Sequence, residues 1–505
     1  PRFESRGPSK IAYDKKSIFN GAYKKDIFHF SVKPFTIDSM DNFTIEGLAF
    51  PGTFVSGGIL PEFDYEARIM DDYSLGFERA NPPGGYPMYG GKGHGNIDIS
   101  MSEKGFWAKG EIDFNGAKLT SDKIVMMPDS TNAETQEYRI DKNKKYPRLL
   151  AQDVFTHWIP KGDSMVINTK GHDVDVFTDG QVFKGNLVHT PRELTGHGLL
   201  AWDKARLTSE QIVFSPNKAD AAVALITIGD IDAELISFAS NNVKAHVDFD
   251  TREADFIANE LGNLTDFPIN QFASSMDEYH WDMDAETIEL SRGNRLKPED
   301  SYFITKHPGQ QGLKFQSTKA LFDMKTATIH AEEIPHIDIA DSRLFPLDGK
   351  ATIFEGANVD TFRQAKFLAA RDNKFHEMYN MTVKVNGRNN ISGQAYYKYK
   401  DKHETEQEIH FNQVFVSRDT HVWANGYMFD SLDFTVSPRI AYKGNIQLLS
   451  TDQHLKFNGY VKTLHTFEDY PSAWFRYEQQ PDPKNVIIPA GNPKNENRRT
   501  INVSL

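Results

Sequence analysis

The sequence predicts an all-β protein: an elongated stack of β-solenoid or β-sandwich (jellyroll) repeats with little helix. Three observations carry the prediction. Apolar and polar residues alternate with period two in many short runs, which sets one face of a strand on a core and the other in water. Asp-Gly and Asn-Gly pairs punctuate the runs and supply the positive φ that tight turns need. The block Ala-Lys-Leu-Thr-Ser-Asp-Lys-Ile-Val from Ala117 returns as Ala-Arg-Leu-Thr-Ser-Glu-Gln-Ile-Val from Ala205, 88 residues on. Such recurrence marks a supersecondary unit whose copies share one core.

Residues 1–100 form an N-terminal β region. There Phe63, Tyr65, Ala67 and Ile69 alternate with Asp64, Glu66 and Arg68, so Phe63, Tyr65 and Ile69 are expected inside and the charged set in water. Ile97-Asp98-Ile99 closes the region. Residues 101–260 carry both repeat copies, and the alternation runs on through Glu111-Ile112-Asp113-Phe114 and His246-Val247-Asp248-Phe249. Tyr146 to Trp158 is a candidate helix within it. Residues 261–480 form a C-terminal β region, in which Met381, Val383 and Val385 alternate with Thr382, Lys384 and Asn386. Phe362 to Tyr379 fits either a helix or two strands joined at Asp372-Asn373. Turns are expected at Asn115-Gly116, Asp179-Gly180, Asp348-Gly349, Asn386-Gly387 and Asn458-Gly459. Residues 481–505 read as a linker-like tail. The chain begins Pro1-Arg2-Phe3, without Met or a signal peptide, and closes on polar residues, so both ends read as cuts.

There is no cysteine in 505 residues. That removes thiol catalysis, cysteine metal sites and disulfides together, and it fits a bacterial exported protein, where a stray thiol is a liability. A net charge of -13 argues against nucleic acid as a partner. Aromatics reach 12%, enough to fill a core that a disordered chain would lack. No apolar run approaches the ~20 residues of a membrane helix; the best candidate, Ala221 to Ile228, is far too short. The expected setting is the periplasm, cell surface or outer membrane of a Gram-negative bacterium.

Three segments carry a resemblance. They are Pro34-Phe35-Thr36-Ile37-Asp38-Ser39-Met40-Asp41-Asn42-Phe43-Thr44, Ser274-Ser275-Met276-Asp277-Glu278-Tyr279-His280-Trp281-Asp282-Met283, and the run from Ala331 through Pro335-His336-Ile337-Asp338 to Asp348-Gly349-Lys350. Together they resemble large, uncharacterised envelope proteins of Bacteroidetes-type bacteria, over most of the chain. The resemblance implies an envelope location and no particular activity. The recurring order of Ala-bearing strand, Asp turn and apolar strand also resembles the OstA-type β-jellyroll repeats of lipopolysaccharide-transport proteins.

Candidate chemistry is sparse. Gly84-Gly85-Tyr86-Pro87-Met88-Tyr89-Gly90-Gly91-Lys92-Gly93-His94-Gly95 lacks the Ser or Thr of a phosphate loop; it reads as a structural loop, or as an exposed aromatic loop for a glycan. Asp173, Asp175 and Asp179 are weak candidates for a hard cation, but Phe177 stands where a calcium loop needs an oxygen donor. His280, Asp282 and Asp284 would share a strand face, with Trp281 and Met283 opposite; a strand that buries Trp and Met is the plainer reading. Ser39, Ser130, Ser164 and Ser431 each follow Asp and precede Met, Thr or Leu, an order that glycan attachment to Ser uses in bacteria of the resembled kind. Ser130 and Ser164 are the best of the four. No residue stands out as catalytic and no cofactor is implied. The expectation is a non-enzymatic envelope scaffold or binding protein, with protein partners in a larger assembly and possible contact with glycan. A carbohydrate-active β-solenoid (lyase or hydrolase) and a lipid or lipopolysaccharide conduit are the alternatives.

Overall fold

The computed structural model describes residues 2–38, 44, 48–230, 235–466, 472–489 and 494–500. Strand makes up 58% and helix 4%, and no helix among the described residues reaches seven residues. None of these helices is long and apolar enough to cross a membrane. Both stretches open to a helical reading are strands: Leu149–Ile159 in one case, Phe362–Ala369 and His376–Gly387 in the other. The chain divides into two compact units, one of Pro1–Ile226 and Val243–Arg252, the other of Thr227–Asn242 and Glu253–Leu505.

The first unit is largely an antiparallel meander, its long strands pairing one after the next. Ser9–Ala12, Phe28–Val32, Ala49–Ser56, Phe63–Ile69 and Leu75–Arg79 pair in that order. Gly93–Ser102, Gly105–Phe114, Ala117–Met126, Thr131–Ile140 and Leu149–Ile159 continue it. The two repeat copies are the strands Ala117–Met126 and Ala205–Phe214, and their surroundings match. In each, the preceding strand carries a β-bulge that sets a glycine opposite the repeat serine: Gly110 opposite Ser121, Gly198 opposite Ser209. Both glycines sit at positive φ, 133° and 151°. A Cβ there would lie 2.3 Å from the Asn96 carbonyl oxygen and 2.2 Å from that of Lys184, so only glycine fits. The serine hydroxyls then donate to the following strand, Ser121 to Glu134 O at 2.6 Å and Ser209 to Val223 O at 2.7 Å. Glycine thus lets the strand bend, and serine satisfies a carbonyl that the bend leaves short of a partner.

In the second unit the same device is drawn out into two ladders. Glu253–Ala258, Glu278–Asp282, Thr287–Ser291, Lys319–Asp323, Thr328–Glu332 and Ala351–Ile353 pair as one. Thr265–Phe267, Phe272–Ser274, Tyr302–Thr305, Lys314–Gln316, Ile337–Ile339, Ser342–Phe345 and Phe362–Ala369 pair as the other. The chain crosses from one ladder to the other between successive hairpins, so each ladder holds one half of a creased strand. Buried serines mark the crossings. Ser275 donates to Asp300 O at 2.7 Å, Ser301 to Ser317 O at 2.6 Å, and Ser317 to Glu332 O at 2.7 Å. After these ladders His376–Gly387, Asn390–Lys400, Glu406–Val416, Val422–Met428, Ile440–Leu449, Lys456–Thr463 and Phe475–Gln479 pair as a simple meander.

Aromatic rings fill the interior of each unit. Phe28, Phe54, Phe77 and Phe106 are buried in the first, with Phe54 5.3 Å from Phe28 and from Phe106 and 4.9 Å from Phe77. In the second, Phe267 meets Phe322 of the opposite ladder at 5.2 Å and Phe238 at 5.7 Å. Each such ring contributes roughly 1.5–3 kcal/mol by leaving water, which specifies the register. One register prediction needs correcting. Tyr65 is 37% exposed and Phe63 only half-buried. The Arg79 guanidinium lies 4.2 Å over the Phe63 ring and 5.6 Å from Tyr65, so an arginine covers this row. Two expected turns also lie elsewhere. Gly459 sits mid-strand opposite Gly444, which is at φ 135°, and a Cβ on Gly459 would lie 2.1 Å from Lys443 O. Gly387 pairs with Asn390, so the hairpin tip is Arg388-Asn389.

Candidate functional site

Cations from several hairpin tips and strands meet at one cleft in the second unit. The strands Ile337–Ile339 and Ser342–Phe345 form a tight hairpin, and alternation sends Asp338 and Arg343 to its outer face as a cross-strand pair. Arg343 donates to Asp338 through Nε at 2.8 Å. Arg371, just past Phe362–Ala369, reaches the other carboxylate oxygen at 2.8 Å. Asp338 therefore holds two guanidiniums at once. His336 lies 3.8 Å from it. Arg388 is placed by its backbone: its N–H donates to Gln310 O at 3.0 Å and its carbonyl accepts from Ala340 N–H at 2.9 Å. That clamps the 388 tip between two other turns. Lys314 stands with Nζ 3.4 Å over the Tyr302 ring. Lys314, His336, Asp338, Arg371 and Arg388, with Ile304, Phe315, Glu299 and Gln316, line a cleft of about 520 Å³, within the size range of small-ligand pockets.

The electrostatics follow from the geometry. Burial alone would raise Asp338, but the hydrogen bond and charge of Arg343, with the charge of Arg371, outweigh it and hold the carboxyl below its usual range. Burial and then the nearby Arg343 push His336 below the ordinary imidazole value, so it is neutral at pH 7. Next to the cleft, Asp341 ties distant loops together. It accepts from His421 Nδ1 at 3.0 Å, Ser342 Oγ at 2.9 Å, Val422 N–H at 3.3 Å and the Ser450 hydroxyl. Burial would raise this carboxyl too; the hydrogen bonds from Ser450, His421 and Ser342 hold it down. Ser450 and His421 both bond to the aspartate rather than to each other, so the trio lacks the nucleophile-to-base contact of a catalytic triad. Asp338 and Asp341 are committed to fixed partners.

The first unit has a cleft of about 460 Å³ lined by Arg79, Glu78, Asp98, Trp107, Lys109 and Asp122. Two of its carboxylates are already occupied, Asp98 by Asn81 N–H at 2.8 Å and Asp122 by Gln136 at 2.6 Å.

The residues singled out in the sequence fall elsewhere. Asp173 pairs with Lys184 at 3.1 Å, Asp175 is exposed on the strand Val174–Val176, and Asp179 accepts from Thr178 in a turn. Among the described residues no three His, Asp or Glu side chains are grouped to hold a metal ion. In the Gly-rich loop Tyr86 and Tyr89 are buried, and the Tyr89 hydroxyl donates to Met127 O at 2.8 Å, so an exposed aromatic loop is excluded. His280 pairs with Asp255 at 2.8 Å, Trp281 and Met283 are buried, and Asp282 caps the following turn by accepting from Ala285 N–H at 2.8 Å. Ser39 lies outside the described residues. Ser130 is 9% exposed, sheltered in a turn whose Ser130 carbonyl accepts from Tyr89, and Ser164 is half-buried. Ser431 is the exposed hydroxyl of the three described, which reverses the expected order. Arg371, Arg388 and Lys314 gave no sequence signal, because more than seventy positions separate Lys314 from Arg388 and only hairpin stacking brings them together. His336, Asp338 and Arg343 did lie in the segment that carries the resemblance.

No family model, curated protein or solved structure matches the chain.

Proposed function

We propose that this chain is a non-enzymatic scaffold and binding element of a bacterial cell envelope, working within a larger protein assembly. The observation that carries the reading is the filled interior. Phe28 and Phe54 pack together fully buried in the first unit, and Phe267 packs fully buried between Phe238 and Phe322 in the second. A lipid conduit needs apolar walls left open for its cargo, whereas a filled core makes a rigid support. The cleft at Asp338 and Arg388 is the natural binding feature of such a support. The absence of cysteine supports the exported setting. Cross-linking in the organism that makes the protein, followed by affinity purification, tests the proposal. A fixed set of protein partners in the envelope fraction is the expected result. Recovery of the chain alone, or from the cell interior, overturns it.

A further inference from the structure

We propose that the cleft of the second unit binds an organic anion of monosaccharide size bearing a carboxylate or phosphate group, with Arg388 as its principal receptor. This names the ligand class for the binding-element reading above and rests on it. Three cations, Lys314, Arg371 and Arg388, line the cleft with Asp338 and Glu299, and Arg343 pairs with Asp338 beside it, in a chain whose net charge is -13. Asp338 is shared between Arg343 and Arg371 and has nothing left to offer a third guanidinium. Arg388 has no side-chain hydrogen bond or ion pair among the described residues, although both of its backbone groups are clamped. A guanidinium held in place at a cleft and paired with no carboxylate of its own is a receptor, and its planar fork matches the two oxygens of a carboxylate or phosphate. Lys314 supplies a second charge. Ile304, beside Lys314 on the cleft face of its hairpin, supplies apolar surface for the uncharged face of a sugar. A volume of about 520 Å³ admits one such ring with its solvent.

Calorimetric titration of the full chain with glucuronate, glucose 6-phosphate, inorganic phosphate and glucose tests this. Glucuronate or glucose 6-phosphate, or both, should bind one to one, and which of them binds separates a carboxylate from a phosphate ligand. Glucose should not bind. Arg388→Gln should weaken binding about tenfold or more. Arg388 is exposed on a hairpin tip, so the variant keeps its fold, which circular dichroism checks. The proposal is overturned if glucose binds as well as the anions, if inorganic phosphate alone binds, if Arg388→Gln binds like the parent, or if no probe binds at about 10 mM, a level that detects even millimolar affinity. None of these failures touches the recovery of partners from the envelope, so the two readings fail separately.

Discussion

Replacing Asp341 by Asn isolates one charge at the point where distant loops join. The carboxylate accepts from His421, Ser342, Ser450 and Val422, up to 109 residues away in sequence. Asn keeps one acceptor oxygen and turns the other into a donor that faces donors. Hydrogen bonds to a charged group are worth roughly 1.5–3 kcal/mol each. The side chain is 21% exposed, which screens part of that. Loss of two such bonds, discounted for exposure, gives about 2–4 kcal/mol. Urea unfolding followed by the fluorescence of the six tryptophans, one of them Trp423 beside Val422, reads the difference. The pH dependence has a definite sign. Because the folded-state carboxyl lies below its ordinary value, its stabilisation is complete above the unfolded value of about 3.9 and is lost as pH falls through the folded one. The gap between parent and variant should therefore be full at pH 7 and close in acid. A change under about 0.5 kcal/mol at pH 7, the range of an ordinary surface substitution, or a gap that persists in acid, refutes the role assigned to Asp341.

Two further outcomes follow from the crease and the core. Ser317→Ala removes a buried hydroxyl that donates to Lys319 O at 2.9 Å and Glu332 O at 2.7 Å, and should cost about 1–3 kcal/mol in chemical denaturation; a neutral result removes serine from the account of the crossings. His189 is wholly buried between Tyr138 and Asn115, and burial, with Lys145 nearby, pushes it down to about 4. Its stabilisation is present above about 6.5 and is lost as pH falls toward that lowered value, because the unfolded chain takes up the proton first. The parent should lose about 3 kcal/mol between pH 7 and 4 from this group, and His189→Gln, though weaker at pH 7, should show a flatter profile; parallel profiles would count against it.

Period-two alternation and the repeated block made the all-β architecture legible, because both are local consequences of a half-buried strand. The bulge pairing Gly198 with Ser209 was legible only as a repeat: sequence shows that Thr-Ser recurs, and the three-dimensional bend shows why. Asn458-Gly459 misled, since glycine that admits a close strand crossing looks the same in sequence as glycine that turns a hairpin. Tyr65 misled because alternation reports two faces and not what covers them, here Arg79. The cleft was nearly invisible. Asp338 and Arg343 are near neighbours in the chain, but Lys314, Arg371 and Arg388 converge through hairpin stacking, which no local pattern records.

The claim that the interior is a filled core is tested most directly by the stability of Phe267→Ala. Phe267 is fully buried and touches Phe322, Phe238 and Phe303, with ring centroids at 5.2, 5.7 and 6.3 Å. Removal of the ring from a packed core should cost about 3–5 kcal/mol in equilibrium unfolding. A loss below about 1 kcal/mol, the response of a ring that lines an open channel and leaves no sealed cavity, would contradict the scaffold account and restore the conduit.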